Sequence, residues 1–195
     1  MASEITPERL ARLEALADRE EIRECLVRFS RGMDRFDEAT YLSAFWPDAE
    51  VAAGPYVGSA QGCWDWAMPM HRDWQMLTHH SLLNTTIDID HENGGDIAHT
   101  ETYYLFVARN RPFPGSEAET LGLAGGRYID RFERREGVWK IALRTNVIEW
   151  SGDVPPLPLP FADVPGIADN GVSARDRSDP SYARPLLNRR APNQP

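Results

Sequence analysis

Asp34 and His80 are the two residues of this sequence whose types and positions best fit acid–base chemistry. Asp34 ends a segment with the apolar spacing of a helix, residues 18–34, and His80 begins a segment that alternates like a strand, residues 80–90. A carboxylate and an imidazole held on two rigid elements can share a proton. Such a pair would be a general base that needs neither a metal ion nor an organic cofactor, and we expect none here.

The segment that leads to Asp34 predicts helix over residues 6–33. Thr6 suits the N-cap position and Pro7 suits the first helical position. A sequence that resembles a capping box, residues 18–21, predicts a break near Ala17 and therefore two helices instead of one.

Three further elements are expected before His80. Residues 38–45 predict a short helix and residues 49–53 a short strand. Residues 59–76 have helical spacing and contain three of the six tryptophans, but Pro69 predicts a broken helix or two short ones.

The second half of the sequence predicts a run of antiparallel strands. Glycine-rich sequences at residues 93–96 and 135–137 are typical of tight hairpins. Helices followed by antiparallel strands indicate an α+β fold, with the helices on one face of a curved sheet. The four expected strands are residues 79–90, 97–110, 122–135 and 138–150.

The last part of the chain has a different composition. We expect the domain to cover residues 1–151, because residues 152–195 contain nine of the fifteen prolines. This composition is typical of an extended tail, not of a second core. Asp179 and Tyr182 lie in a short tail segment that we expect to cap a cavity, either its own or a neighbour's.

Composition excludes several classes of protein. The chain has 195 residues, a net charge of −9 and a pI near 5.0, whereas a nucleic-acid-binding protein would carry a basic face. Cys25 and Cys63 are far apart and form no CxxC pattern, so a disulfide framework is not expected. The N-terminal residues have no basic segment followed by an apolar one, so we expect no secretion signal, and no apolar run in the sequence reaches membrane-spanning length. We therefore expect a cytoplasmic protein without nucleic-acid or membrane partners.

The motifs of several other catalytic classes are missing from the sequence. No GxSxG, GxxxxGKS/T or GxGxxG motif occurs, which disfavours a serine hydrolase, a phosphate-binding loop and a dinucleotide-binding site. No HxH, HxxxH or HExxH spacing occurs either. His79 and His80 are neighbours on a strand and would point to opposite faces, so we predict no metal site.

Four stretches of the chain resemble the SnoaL-like branch of the nuclear-transport-factor-2-like superfamily, to which scytalone dehydratase, ketosteroid isomerase and bile-acid dehydratase belong. The resemblance covers about residues 15–151 and implies a cone-shaped α+β fold, in which a curved antiparallel sheet wraps around N-terminal helices. The stretches are DREEIR at 18–23, MDR at 33–35, HxxxN at 80–84 leading into IDID at 87–90, and GGRYIDRFE at 125–133 leading into WKIALRT at 139–145.

The resemblance also implies roles for three residues. In dehydratase-like members, an aspartate at the end of the first helix orients a histidine on a central strand, and an arginine on the last strand often completes the site. These roles fall on Asp34, His80 and Arg144. Dehydratase relatives place a tyrosine where this chain has Phe29, so another tyrosine would have to supply the hydroxyl: Tyr41, Tyr56, Tyr103 or Tyr104.

Each of these three residues also has a purely structural interpretation. Asp34 could make an ordinary turn contact at the end of its helix, and His80 could be a structural histidine with satisfied hydrogen bonds. Arg144 could form an ion pair with Glu101 or Glu133 on a neighbouring strand.

Strand alternation predicts how the rest of the pocket is formed. His80 and Asn84 would share one face of their strand, as Arg144 and Asn146 would on the last strand. A concave face with few polar and many apolar groups is typical of a small-molecule pocket. Asn84 and the tryptophans also have structural interpretations, as a cross-strand hydrogen-bonding residue and as core. The predicted substrate-binding residues are Phe29, Tyr41, Tyr56, Trp64, Asn84, Tyr104, Phe106 and Asn146.

The sequence and the resemblance together predict a cofactor-independent lyase. His80, oriented by Asp34, would deprotonate a hydrophobic, aromatic or polycyclic alcohol, with loss of water. Loss of formaldehyde, as in the deformylating lyases of sphingomonads that act on diaryl compounds, also fits. The alternatives are an isomerase or cyclase acting on a steroid- or polyketide-like substrate, and a non-catalytic small-molecule-binding module. We expect a homodimer or homotrimer, because a second subunit usually covers the outer face of such a sheet.

Overall fold

The computed structural model of the protein describes residues 5–155, 169 and 171–187. Within these residues, helices of the first half precede a long run of strands, so the predicted α+β fold is confirmed. The helices are α1 (Pro7–Arg35), α2 (Glu38–Ser43) and α3 (Ala60–Asp73). The strands are β1 (Phe45–Ala53), β2 (Tyr56–Ser59), β3 (Gln75–Ile89), β4 (Ile97–Asn110), β5 (Thr120–Arg135) and β6 (Val138–Val154). Among the described residues, His91–Asn93 and Pro180–Tyr182 each form a short 3-10 turn.

The six strands form one curved, unclosed sheet in the order β2-β1-β6-β5-β4-β3. β1 runs parallel to β6, and every other pair of neighbours is antiparallel. All four strands predicted in the second half are confirmed, whereas β2 was not predicted. The hairpin predicted between β5 and β6 is also confirmed: Glu136 and Gly137 both have positive φ, as a two-residue turn between strands requires.

The core lies between α1 and the concave face of the sheet. The apolar residues of α1 recur at helical spacing, and their buried members pack against β3 and β6. Each large apolar side chain that is fully buried contributes roughly 1.5–3 kcal/mol. The buried residues of α1 include Ile22, Cys25, Leu26, Phe29 and Met33.

The predicted break near Ala17 is wrong, because α1 is continuous over 29 residues. Asp18 does not cap a second helix. Its carboxylate accepts hydrogen bonds from the Trp139 indole at 2.9 Å and from Arg134 at 3.0 Å, so it anchors the middle of α1 to the sheet. No Gly or Pro interrupts the helix at this point.

The expected interruption of the third helix at Pro69 is also wrong, since α3 runs through this residue. A proline inside a helix leaves the carbonyl four residues earlier, here that of Asp65, without its usual donor. Asp65 and Pro69 are both exposed, so water can satisfy this carbonyl. The buried face of α3 is formed by other residues, including Cys63, Ala67 and His71.

None of the helices in the described part of the chain combines the length and the apolar character needed to cross a bilayer. β6 ends at Val154, three residues past the boundary expected at 151. The proposed division into domain and tail stays a prediction, and much of the tail lies outside the described residues.

Candidate functional site

Asp34 and His80 are in direct contact. The Nδ1 atom of His80 lies 2.7 Å from Oδ1 of Asp34, and the backbone N–H of His80 donates to Oδ2 at 2.9 Å. Thr78 donates its hydroxyl to Oδ1 at 2.8 Å. The carboxylate therefore accepts three hydrogen bonds from one short stretch of β3, which holds it in a single orientation.

The local fold explains why these groups meet. Asp34 lies in the last turn of α1, and the helix ends at Phe36, which adopts a left-handed conformation (φ 52°). β3 is an edge strand with only β4 as its neighbour, so N–H groups on its outer side have no strand partner. The N–H of His80 is directed to Asp34 instead, and this pairing fixes the end of α1 against β3.

The environment of Asp34 keeps it ionised. Burial alone would raise its pKa, but the hydrogen bonds from the His80 ring, the His80 backbone and Thr78 outweigh burial and lower the pKa. An ionised carboxylate only accepts hydrogen bonds, so Nδ1 of His80 carries the proton. The Nε2 atom is then left as the basic nitrogen of the ring.

Arg144 is buried in the floor of the same region. Its Nε and Nη2 atoms each donate to Asp130 at 2.7 Å, and the two residues are opposite each other in the register of β5 and β6. The guanidinium carbon lies 4.0 Å from the ring centre of Phe29 and 4.3 Å from that of Tyr128. Burial would lower the pKa of Arg144, but the attraction of Asp130 outweighs it and raises the pKa.

The sequence suggested Glu101 or Glu133 as the ion-pair partner of Arg144, and both suggestions are wrong. Glu101 binds Arg127, and Glu133 binds Arg131 and Arg135. Asp130 occupies only one edge of the Arg144 guanidinium. The Nη1 atom is buried and has no hydrogen-bond partner among the described residues.

A cavity of about 280 Å³ joins His80 and Arg144. An apolar cavity of about 150 Å³ holds one benzene molecule, so this volume corresponds to roughly two rings. Exposed residues at its edge, Trp66, Met70 and Ile148, form its mouth. The lining residues are Phe29, Met33, Tyr41, Val51, Ala53, Gly54, Pro55, Cys63, Trp66, Ala67, Met70, His71, His80, Tyr104, Phe106, Ala124, Tyr128, Arg144, Asn146 and Ile148.

Five of the eight predicted substrate-binding residues line this cavity: Phe29, Tyr41, Tyr104, Phe106 and Asn146. Phe106 also contacts the His80 ring, with 4.8 Å between ring centres. The Oδ1 atom of Asn146 is buried without a hydrogen-bond partner among the described residues. Whether these residues bind a substrate stays a prediction.

Trp64 and Tyr56 do not line the cavity. Trp64 is buried one layer behind it, with its ring centre 5.2 Å from that of Tyr41. Tyr56 stacks on the outer side of Trp66 at 5.7 Å and donates its hydroxyl to the carbonyl of Ser59. Both residues support cavity walls from outside.

Asn84 is exposed and lies away from the cavity. The expectation that it shares a face with His80 assumed uninterrupted alternation along the strand. A β-bulge between Leu82 and Thr85 inserts one residue, so the inward face passes from Leu82 to Thr85 and Ile87.

The tyrosines considered as hydroxyl donors divide into two groups. Tyr41 and Tyr104 line the cavity, whereas Tyr103 is on the other face of β4 and is 37% exposed. The Tyr41 hydroxyl donates to the carbonyl of Ala60 at 3.2 Å. Burial raises the pKa of Tyr104, partly offset by Asn146, so its phenol stays protonated at neutral pH.

Tyr128 and His71 also line the cavity, although neither was predicted as a site residue from the sequence. The His71 ring lies 6.4 Å from the His80 ring, and its Nδ1 is hydrogen-bonded to Gln75. Burial, the largest effect, lowers the pKa of His71 to about 4, and Arg175 acts in the same direction. His71 is therefore neutral at neutral pH. Its spacing from Cys63 and Ala67, eight and four residues, could have placed it on their face of the helix.

The tail segment between Asp179 and Tyr182 does not line the cavity. Tyr182 donates its hydroxyl to Asp37 at 3.2 Å, and its ring lies under the guanidinium of Arg31. Asp179 is buried against Arg35 at 3.5 Å. This segment binds the outer surface of α1 near its end, so in the described chain it covers α1 and not the mouth of the cavity.

No three His, Cys, Asp or Glu side chains of the described residues converge closely enough to hold a metal ion. The polar groups that converge on the cavity include an anionic Asp34 behind His80, a neutral His71, and the donors of Arg144 and Tyr104. This arrangement can accept a proton at His80 and stabilise negative charge at Arg144.

Comparison with known proteins identifies the family of the chain. A family model described as a SnoaL-like domain matches residues 14–145, which is more than half of the chain. The chain belongs to the SnoaL-like family. The match ends before the described tail segment, so that segment lies outside the matched domain of this SnoaL-like protein.

Solved structures share the fold of this SnoaL-like protein. A type 2 hexachlorocyclohexane dehydrochlorinase (LinA) has a TM-score of 0.64 at 22% identity, covering 74% of this chain and 94% of that one. The type 3 enzyme from Novosphingobium barchaimii LL02 has a TM-score of 0.64 at 20% identity, covering 74% and 95%. A scytalone-dehydratase-like protein from Novosphingobium aromaticivorans has a TM-score of 0.60 at 18% identity, covering 73% and 91%. No curated protein sequence matches the chain.

Proposed function

We propose that this SnoaL-like protein is a cofactor-independent lyase that acts on a hydrophobic, aromatic alcohol. The observation that carries the proposal is the Asp34–His80 contact of 2.7 Å at the wall of an aromatic cavity. Family membership supports small-molecule conversion. Structural neighbours named for dehydrochlorination and dehydration, which are both eliminations, support the reaction type.

In the proposed reaction, Nε2 of His80 removes a proton from the substrate, and the anionic Asp34 stabilises the imidazolium that forms. A bound substrate would displace water from this largely apolar cavity, which strengthens each electrostatic contact. The Nη1–H of Arg144, which has no partner among the described residues, donates to the oxygen on which negative charge develops. A donor that is already buried and oriented needs little reorganisation during the reaction.

Two eliminations fit this arrangement. In a dehydration, His80 takes a carbon-bound proton, the C–H electron pair forms a C=C bond, and hydroxide leaves from the neighbouring carbon, taking up a proton as water. In a deformylation, His80 takes the hydroxyl proton of a hydroxymethyl group, the C–O bond becomes a C=O bond, and the C–C bond breaks to release formaldehyde. The electron pair of that C–C bond forms the C=C bond as hydroxide leaves from the adjacent carbon, and the hydroxide takes up the proton from His80 to leave as water.

The cavity favours a substrate of about two rings. Its volume is about 280 Å³, roughly twice that of an apolar cavity that holds benzene. Aromatic walls from Phe29, Tyr104, Phe106 and Tyr128 suit flat rings. A four-ring steroid would have to project through the mouth past Trp66, so the volume favours a diaryl or bicyclic alcohol.

The alternatives differ in the mass of the product. An isomerase or cyclase using the same base conserves the mass of its substrate, and a binding module forms no product. Within the described part of the chain, Nη1 of Arg144 has no hydrogen-bond partner, and this favours chemistry on an oxygen because a purely apolar ligand would leave that donor unsatisfied.

The test is a screen of diaryl and bicyclic alcohols with a mass-spectrometric readout. We expect at least one to lose a mass equal to water or to water plus formaldehyde with the wild type, and none to do so with His80→Ala. The matched control is His79→Ala, which removes the exposed neighbouring histidine and should retain turnover. Turnover that persists in His80→Ala would contradict the proposal.

The cytoplasmic location and the homodimer or homotrimer stay predictions. The exposed leucines of the first turns of α1, Leu10, Leu13 and Leu16, support self-association because apolar side chains on one helix are usually covered. The acidic net charge supports the absence of a nucleic-acid partner.

A further inference from the structure

Arg175, in the tail, lies outside the cavity and contacts Thr78, a residue that holds Asp34 in place. Its Nη2 atom donates to Thr78 Oγ1 at 3.1 Å, and Thr78 in turn donates to Asp34 at 2.8 Å. The guanidinium lies 3.6 Å from the ring centre of Phe36, the residue that ends α1. Arg175 therefore contacts both elements that bring Asp34 and His80 together.

Arg175 also fixes the junction between α3 and β3. Its Nη1 atom donates to the backbone carbonyls of His71 and Gln75, both at 2.9 Å. A cation near the last carbonyls of a helix is favoured by the helix dipole. Burial lowers the pKa of Arg175 to about 10, which leaves it charged at neutral pH. The position of this guanidinium is thus set by three acceptors and one aromatic ring.

The directions of the two hydrogen bonds at the Thr78 hydroxyl determine where its proton goes. A guanidinium N–H can only donate, so Thr78 Oγ1 must act as acceptor toward Arg175. The single proton of the Thr78 hydroxyl is then available for Asp34, which accepts it beside the proton of His80 Nδ1. Without Arg175, the hydroxyl could rotate and donate elsewhere, and Asp34 would lose one of its three donors.

We propose that Arg175 is a positioning residue of the site, which orients Asp34 and His80 through the hydroxyl of Thr78. The proposal rests on the proposed function of the Asp34–His80 pair. Arg175 is not among the residues that line the cavity, so its proposed effect on the site passes through Thr78. The residue also lies beyond the matched family domain, which ends at residue 145, so the tail adds a part to the site that the domain alone does not contain.

The test compares full-length variants in two ways: by steady-state kinetics on an identified substrate, and by an NMR measurement that needs no substrate. Arg175→Ala should lower kcat on the order of 10-fold, as is typical when a residue that orients a histidine from behind is removed. KM should stay unchanged, because Arg175 does not line the cavity. Arg175→Lys should restore most of kcat, because an ammonium can still donate to Thr78. In the ligand-free protein, the proton on His80 Nδ1, observed by NMR with labelled histidine, should exchange with water faster in Arg175→Ala than in the wild type, because the Asp34 carboxylate that accepts this proton is held less firmly.

A double-variant comparison separates positioning from general stabilisation. In a Thr78→Val background, which removes the hydroxyl but keeps the shape, Arg175→Ala should change kcat by less than about 2-fold. The matched control is Arg177→Ala, because this tail arginine is 83% exposed and lies 3.9 Å from Asp37. This control should retain the kcat and the His80 proton exchange of the wild type.

The proposal is overturned if Arg175→Ala lowers kcat by the same factor with and without the Thr78 hydroxyl, or raises KM alone. Unchanged exchange of the His80 proton in Arg175→Ala also overturns it. This NMR result decides the positioning role even if the Asp34–His80 pair proves not to be the catalytic base. The failure of that function would appear separately, as full turnover in His80→Ala.

Discussion

His71 makes the stability of the protein depend on pH in a defined direction. Burial lowers the pKa of this imidazole from 6.5 to about 4. As the pH falls below 6.5, the unfolded chain binds a proton that the folded chain does not bind until about pH 4. The contribution of His71 to stability is therefore fully present above the unfolded pKa and is lost as the pH falls toward the folded pKa.

The size of this effect follows from the shift. Each tenfold change in proton affinity corresponds to about 1.36 kcal/mol, so a fall from 6.5 to about 4 gives a maximum of about 3 kcal/mol. His71 is only 6% exposed, so little solvent screening reduces this value. Between about pH 7 and about pH 4.5, the free energy of unfolding should fall by about 2 kcal/mol on account of this residue.

The assay is urea unfolding of the wild type and of His71→Asn across that pH range. The Asn amide can keep the hydrogen bond to Gln75 but does not titrate, so the variant should lose about 2 kcal/mol less than the wild type on acidification. The control is His79→Asn, an exposed histidine, which should follow the wild type. Parallel curves for the wild type and His71→Asn would refute the description of His71 as a buried neutral ring.

Two further predictions concern the floor and the mouth of the cavity. Asp130→Asn leaves the buried Arg144 without its counter-charge, and urea unfolding should show a loss of about 3–5 kcal/mol. Replacing both residues, with Asp130→Leu and Arg144→Met, should recover most of this stability, and a loss below about 1 kcal/mol in the single variant would contradict the pairing. Trp66→Ala at the mouth should raise KM about 10-fold with little change in kcat, because it removes binding shared by the ground and transition states. Steady-state kinetics checks this, with exposed Trp74→Ala as control, and a fall in kcat alone would contradict it.

Much of the fold could be predicted from sequence because the local signals agree with it. The four long strands have clear alternation, and Gly137 marks the turn between the last two. Helix interruptions were less predictable. The capping-box pattern at Asp18 suggested a break near Ala17, but the acidic side chain is used by Trp139 on a distant strand. A local pattern cannot show that a tertiary contact takes up the same carboxylate.

Two features of the sheet were predicted wrongly because β-bulges shift the register of the strands. Counting outward from the two-residue turn after Arg135 pairs Asp130 with Leu143, but an irregularity beside Phe132 moves its partner to Arg144. The ion pair in the floor of the site therefore depends on one extra residue that the turn does not reveal. The same kind of irregularity, between Leu82 and Thr85, turned Asn84 away from the cavity.

Arg175 could not be assigned a role from the sequence. It lies 97 residues after Thr78 and 104 after His71, in a segment whose composition indicates an extended tail. Only the folded chain brings its guanidinium to the end of α1. His71, in contrast, could have been placed on the inner face of α3 by its helical spacing from Cys63 and Ala67, since the helix continues through Pro69.

The central claim is that Asp34 and His80 act as one base. The most direct measurement is the single-turnover rate on an identified substrate for the wild type, Asp34→Asn, His80→Gln and the double variant. Each single change should lower the rate roughly 10²–10⁴-fold, and the double variant should be no slower than His80→Gln, because the two residues work as a unit. A His80→Gln rate within about 10-fold of the wild type, or independent losses that multiply in the double variant, would contradict the account.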